Sequence, residues 1–359
     1  MNLSKVREVY NIIGVMSGTS LDGIDIAHIT FTFSKKWNFD LKNFKTFSYP
    51  LSWKKKLKNS INIKPNELNS LDKLYTEFLA TKINLFIKKY NIKKLDAVSS
   101  HGHTVFHKPE HGITVQIGNL AELSNLINQK VVVNFREQDV KLGGQGAPLV
   151  PIGDKLLFSE YKYFLNLGGF ANLSLKDNKN FIAYDICAVN TVLNNLSLKL
   201  GRDYDFDGNF AKKGKIIREL LNELNKIDFY EKPNPKSLAV EWNEKVIWPL
   251  INKYNSHSIN NLLRTYIEHI SFQISKAFKK NQKVLVTGGG AFNKFLISKI
   301  KNKSLAKFII PKPEIINFKE AIIFGFLGVL KLRNEINCLS SITGANKDHS
   351  SGEIFELKK

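Results

Sequence analysis

Apolar runs of strand length break into glycine turns at three places along the chain: IIGVMSGTS at 12–20, YFLNLGG at 163–169 and VLVTGGG at 284–290. The first two resume in apolar residues, 24–33 and 171–175, so each predicts a strand–turn–strand hairpin. The third runs into AFNKFLI at 291–297, which predicts the opening of a helix. Helical periodicity marks 68–90, 191–200, 214–226 and 259–278. Strands that alternate with helices predict an α/β fold. The hairpin recurs about 150 residues later in the same form, which suggests two related lobes with a boundary near 134–148. The tail, 344–359, is polar and carries no pattern.

At 359 residues and 43% hydrophobic, the chain can bury two domain-sized cores. Its two cysteines, Cys187 and Cys338, lie too far apart in sequence for a disulfide framework or a paired-cysteine zinc site, which fits a reducing compartment. The apolar run 12–16 is too short for a signal-peptide core, and 321–330 is too short to span a bilayer. A cytoplasmic protein with no membrane partner is expected. The net charge of +21 raises the question of nucleic acid, but only six of the 53 basic residues are arginine and the lysines are spread out. Dispersed lysine does not make the clustered footprint of a nucleic-acid surface; it does make a field that steers anionic small molecules.

The chemistry concentrates at the turns. In GVMSGTSLDGID (14–25), glycines bring backbone N–H groups close to a ligand, and Thr19 and Ser20 add hydroxyls. Asp22 and Asp25 beside a phosphate would call for a cation such as Mg²⁺. A plain Gly-Asp hairpin turn reads the same way. No Walker signature follows, and GGGAFN at 288–293 lacks the third glycine of a dinucleotide fingerprint. SSHGHTVFH (99–107) puts His-x-His where a strand ends. That suits a polar substrate contact, a satisfied turn, or a metal-dependent hydrolase with His101, His103 and His107 as ligands. Arg136, in VNFREQDV (133–140), offers a planar fork for a carboxylate, or an ordinary ion pair. Asp185, in AYDICAVN (183–190), and Glu320, ahead of the apolar 321–330, each read equally as a catalytic carboxylate or a helix-terminal acid.

In order, these segments resemble the anhydro-N-acetylmuramic acid kinase family over nearly the whole chain. The matching stretches are 14–25, 100–104, 134–151, 165–172, 204–214, 286–293, 319–321 and 339–345, and MSGTSLDGID is the most specific of them. The resemblance implies a two-lobed actin/hexokinase-like (ribonuclease H-like) α/β fold with a central interlobe cleft. Residues 1–135 would form the N-terminal lobe and 136–359 the C-terminal lobe, with the C-terminal segment free to return to the first. It implies an ATP-dependent kinase of cell-wall recycling that uses Mg²⁺, opens 1,6-anhydro-N-acetylmuramic acid with water, and phosphorylates O6. Its partners would be these small molecules, and a homodimer is left open.

By the same resemblance Asp185 is the base. Gly18, Thr19, Ser20, Leu21, Asp22, Gly23, Ile24, Asp25, Gly168, Gly169, Gly288, Gly289 and Gly290 cradle the nucleotide. His101, Gly102, His103, Thr104, Arg136 and Glu320 bind the sugar, with Arg136 on its lactyl carboxylate. No resident metal ligand set is expected. The chain departs from the family at 186–189, where Ile-Cys-Ala-Val replaces Thr-Gly-Pro-Gly, at His103 in place of Gln, and at Asp154 in place of His. The first departure raises a second expectation, a relative that binds but no longer turns over.

Overall fold

The computed structural model describes residues 8–18, 21–177, 180–234 and 236–357. The expected hairpins are present. In chain order the strands are β1 (Val9–Ser17), β2 (Ile24–Phe33), β3 (Trp37–Phe47), β4 (Ala97–Lys108), β5 (Ile113–Ile117), β6 (Val131–Val133), β7 (Tyr163–Leu167), β8 (Phe170–Asp177), β9 (Asn180–Ala188), β10 (Lys283–Thr287), β11 (Lys307–Ile309) and β12 (Glu353–Phe355). The chain divides into two units, residues 1–159 with 318–359, and residues 160–317.

In the first unit the sheet order is β12-β6-β4-β1-β2-β3, with β5 on β4. β1, β2 and β3 are antiparallel neighbours, while β1, β4 and β6 run parallel. In the second unit the order is β11-β10-β7-β8-β9, again an antiparallel trio joined to parallel strands. Numbered within its own unit, the second sheet reads 3-2-1-4-5, the ribonuclease H-like order; the first shares its 3-2-1-4 part and continues through β6 to β12. The parallel joins need long crossovers, which the helices Pro65–Lys89 and Ile259–Lys276 supply.

Each unit has its own core. In the first, Ile13, Val15, Ile24 and Ile26 pack with Tyr75, Leu79 and Phe86 of the 65–89 helix. In the second, Leu165, Leu167, Leu173 and Val286 pack with Leu262, Tyr266 and Ile270 of the 259–276 helix. Each fully buried aliphatic side chain contributes roughly 1.5–3 kcal/mol. Gly14 allows β1 to press against the helix Pro313–Leu332, because a Cβ there would overlap the carbonyl oxygen of Ala321.

Several expectations are corrected. The helix expected over 214–226 is only Arg218–Asn225, because Gly214 packs against the backbone of Asn260 and the Ile217 N–H is taken by Thr265. Glu320 does not open a helix; Pro313 does, about two turns earlier. The tail is not featureless, since β12 pairs antiparallel with β6. The His-x-His segment lies within β4 rather than after it. Residues 136–159 pack with the first unit. There Asp139 accepts from Gly146 N, Thr343 Oγ1 and Cys338 Sγ at 2.6, 2.7 and 3.0 Å, and Asp154 pairs with Lys319 at 2.7 Å. Among the described residues no helix is long and apolar enough to cross a membrane.

Candidate active site

The first unit carries the turn between β1 and β2; Thr19 and Ser20 lie outside the described residues. The turn is anchored from below. Ser17 Oγ lies 2.6 Å from Tyr49 Oη, 2.7 Å from Tyr75 Oη and 3.2 Å from His103 Nδ1, and the two tyrosine hydroxyls are 2.6 Å apart. All four side chains are buried, so the network fixes where the glycine turn begins. Burial holds the His103 pKa down to about 4, so the ring is neutral at pH 7. Gly23 lets the turn lie against β3, where a Cβ would meet Thr46 and the Phe47 carbonyl. Asp25 accepts from Thr46 Oγ1 at 2.5 Å. Its pKa is nevertheless raised, first by burial and further by the neighbouring Asp22 carboxylate.

β4 carries His101, Gly102, His103 and Thr104. His101 Nδ1 lies 2.9 Å from the Gly102 carbonyl, so that nitrogen bears the hydrogen and Nε2 accepts from Arg136 Nε at 2.8 Å. Arg136 also donates from NH1 to the Gly146 carbonyl at 2.7 Å. Both ring nitrogens of His101 are thereby engaged within the protein, and His107 Nδ1 faces Thr114 Oγ1 at 3.1 Å. His101, His103 and His107 do not gather as metal ligands, and nothing supports the hydrolase expectation. Thr104 lies 3.5 Å from Gln116 Nε2 on β5.

Glu320 keeps solvent-exposed surface. Burial lifts its pKa, Arg136 and Lys319 oppose the shift, and Asp25 adds to it. Asp25, Arg136, Lys319 and Glu320 therefore share one electrostatic neighbourhood.

In the second unit strand register aligns a polar row. Thr287 pairs with Asn166, Asn166 with Asn172, and Asn172 with Asp185, so the four share one sheet face. The alternate residues, Leu165, Leu167, Ala171 and Leu173, fill the core on the other face. Gly288 crosses beside this row with φ +82°, and a Cβ on it would meet Asn166 Oδ1 and the Leu167 backbone at 2.6–2.7 Å. Gly289 and Gly290 lie next to the Asn190 carboxamide, which donates to the Leu167 carbonyl at 3.1 Å. Gly168 and Gly169 turn the β7–β8 hairpin, and their carbonyls accept from the N–H groups of 189–191. Asn166 and Asn172 escaped the sequence reading, although the alternation within LNLGGFANL carried the signal.

Asp185 lies inside β9, and the helix that follows, Asn190–Leu198, begins without a side-chain cap. The helix-capping alternative is thus removed. Its Oδ2 accepts from the Leu238 N–H at 2.8 Å, and its own N–H donates to the Lys236 carbonyl at 2.9 Å. Burial raises its pKa and the Leu238 bond opposes the rise. The bulky residues that follow, Ile186, Cys187, Ala188 and Val189, are buried in the core. Ile186, Cys187 and Ala188 complete β9, and Val189 leads into the next helix.

Among the described residues one set has metal-ligand chemistry: Asp139, Cys338 and His349. The Cys338 thiol donates to Asp139, and burial with that carboxylate pushes its pKa well up. A thiol that keeps its proton is a poor metal ligand, so the set reads as a structural knot.

Comparison with known proteins agrees with these motifs. The sequence profile described as Anhydro-N-acetylmuramic acid kinase matches residues 10–357. A protein of that name from Mannheimia succiniciproducens is 33% identical over 372 residues, covering 96% of this chain and 98% of its own. Another, from Bacillus thuringiensis subsp. konkukian, is 30% identical over 378 residues, with the same coverage. Among solved structures, the activator of the 2-hydroxyisocaproyl-CoA dehydratase from Clostridium difficile with bound ADPNP aligns at 11% identity and a TM-score of 0.44, covering 90% of this chain and 97% of its own. With the profile running unbroken from β1 to β12 through both glycine hairpins and Asp185, the chain belongs to the anhydro-N-acetylmuramic acid kinase family.

Proposed function

We propose that this protein is a cytoplasmic kinase that opens 1,6-anhydro-N-acetylmuramic acid with water and transfers the γ-phosphoryl of ATP to O6. The observation that carries the reading is the family match across 10–357, which takes in every chemistry-bearing turn. Water attacks the anomeric carbon, the bond from that carbon to O6 breaks, and O6 takes the phosphoryl group. The products are N-acetylmuramic acid 6-phosphate and ADP.

Asp185 receives the proton of the attacking water. A positioned carboxylate base contributes about 10²–10⁴-fold, and partial burial with a raised pKa makes it more basic than an exposed aspartate. The phosphoryl group captures the leaving oxygen, so no separate general acid is required. Arg136 holds the lactyl carboxylate, steered by His101, and Glu320 with residues 101–104 holds the sugar. The glycines at 18, 23, 168–169 and 288–290 let backbone approach the phosphates. Asn166 and Asn190, beside Gly288–Gly290, are further candidates for polar contact there.

Asp22 and Asp25 suit a divalent cation, because the Asp22 carboxylate adds to the burial that raises the proton affinity of Asp25, and positive charge between the two would relieve that repulsion. They would hold Mg²⁺, which supplies charge neutralisation for phosphoryl transfer. The net charge of +21 favours attraction of the anionic substrates.

Incubation with ATP, Mg²⁺ and the anhydro sugar should release ADP and sugar 6-phosphate in equal amounts, read by a coupled assay and mass spectrometry. Sugar and nucleotide binding without ADP release would leave only a binding protein.

A further inference from the structure

The Asp185 carboxylate is held by a backbone N–H, that of Leu238, which lies 53 residues further along the chain. The main chain of 236–238 runs beside β9 as a strap: the Lys236 carbonyl accepts from Asp185 N, and Leu238 N donates to Asp185 Oδ2. What fixes the strap is the Lys236 side chain. Its ammonium donates to three carbonyls, Phe229 at 3.0 Å, Tyr230 at 3.1 Å and Lys232 at 3.1 Å, and lies 4.9 Å above the Phe229 ring. These carbonyls belong to and follow the single turn Asp228–Glu231, and the ends of such turns leave acceptors without intrahelical partners. An ammonium has three donors, and here all three meet an acceptor.

We propose that Lys236 is a positioning residue for Asp185: its ammonium locks the 229–232 turn to the strap, so that the Leu238 N–H stays aimed at the Asp185 carboxylate. The inference rests on Asp185 being the base of the proposed reaction.

Within this unit the described groups that bear on Asp185 are few. Leu238 N–H faces it from the strap, uncharged Asn172 pairs with it across β8, and Cys187 follows on its own strand. Burial keeps the Cys187 thiol protonated. Around Lys236 itself, Glu231 and Lys276 act in opposite directions. The strap N–H is therefore the contact in this set that favours the charged carboxylate. A loosened strap makes Asp185 bind its proton more tightly, which moves its titration to higher pH.

The test uses the full-length chain as wild type, Lys236→Met, Lys236→Gln and Lys236→Arg, each checked by circular dichroism and thermal melting. The Asp185 carboxyl is followed by ¹³C resonance in protein labelled at aspartate Cγ, with Asp185→Asn giving the assignment. In Lys236→Met and Lys236→Gln that titration should move to higher pH. Their kcat should fall about 10–100-fold with both KM values little changed, and the acid limb of kcat should shift in the same direction. Lys236→Arg, which keeps a cation and several donors, should recover most of both.

An Asp185 titration unmoved in a folded Met or Gln variant would overturn the proposal. So would losses of kcat, both KM values and melting temperature together that Arg fails to rescue. The carboxyl titration needs no turnover, so an inactive wild type would count against the kinase reading while this readout still decided the role of Lys236.

Discussion

Arg136 Nε donates to His101 Nε2 at 2.8 Å, and the imidazole can accept because its other nitrogen is committed to the Gly102 carbonyl. Burial, with Arg136 beside it, holds the His101 pKa down to about 3. The ring therefore stays a neutral acceptor throughout the working range and orients the guanidinium without competing for an anion.

Substitution of either partner should act on sugar binding before catalysis. Arg136→Lys keeps the charge but loses the fork, and His101→Ala frees the guanidinium from its acceptor. Each should raise the sugar KM about tenfold, equivalent to about 1.4 kcal/mol, with a smaller change in kcat. An unaltered KM in steady-state kinetics would remove Arg136 from the carboxylate.

Asp185→Asn preserves size and an oxygen to accept from Leu238, yet cannot take a proton. Turnover should drop about 10²–10⁴-fold, while calorimetry should show sugar binding close to wild type. Near-normal turnover would dismiss Asp185 as the base.

Gly288 sits at φ +82° and ψ 163°, a backbone region that side chains rarely adopt, with Asn166 and Leu167 where a Cβ would go. Gly288→Ala should cost about 1–3 kcal/mol in thermal or urea unfolding and raise the ATP KM more than the sugar KM. A variant as stable as wild type with an unchanged ATP KM would contradict both the strain and the nucleotide role.

Three buried histidines contribute to the acid response. Burial lowers the pKa of His101 and His269 to about 3, and that of His103 to about 4. The unfolded chain binds protons at these sites below about 6.5, while the folded chain resists them. Stability present above about pH 6.5 should therefore be lost as pH falls towards 3–4, at up to about 1.4 kcal/mol per pH unit for each group. Melting temperatures from pH 7 to 4 should fall, and His103→Gln, which retains a polar partner for Ser17, should fall less steeply. Equal slopes for both proteins would exclude His103 as a contributor.

Asp139 gathers donors from Gly146, Thr343 and Cys338 in a fully buried place. Asp139→Ala strands those donors and should destabilise by about 3 kcal/mol or more in urea unfolding. Cys338→Ser, which keeps a donor, should cost less. A chelator should leave the wild-type melting temperature in place, and a marked drop would reveal a structural metal at this set.

The strand-to-glycine-turn grammar was legible because it is local: alternation sets strand faces, and glycine marks where the backbone must turn or approach closely. Legible for the same reason were the hairpins at 12–33 and 163–175, the helix opening after 290 and the family to which they belong. Errors came where distant packing overrode a local pattern. Gly214 is held out of its helix by Asn260.

By itself, the sequence determined the α/β class, the family and the residue types available for chemistry, since these follow from short-range periodicity and motif order. Only the tertiary structure decided what each group touches. Ser17 meets Tyr75, Arg136 meets His101, and Asp185 meets Leu238 across separations of 58, 35 and 53 residues. A hydrogen bond is set by where two chains of packed elements bring its atoms, and no local pattern encodes that distance.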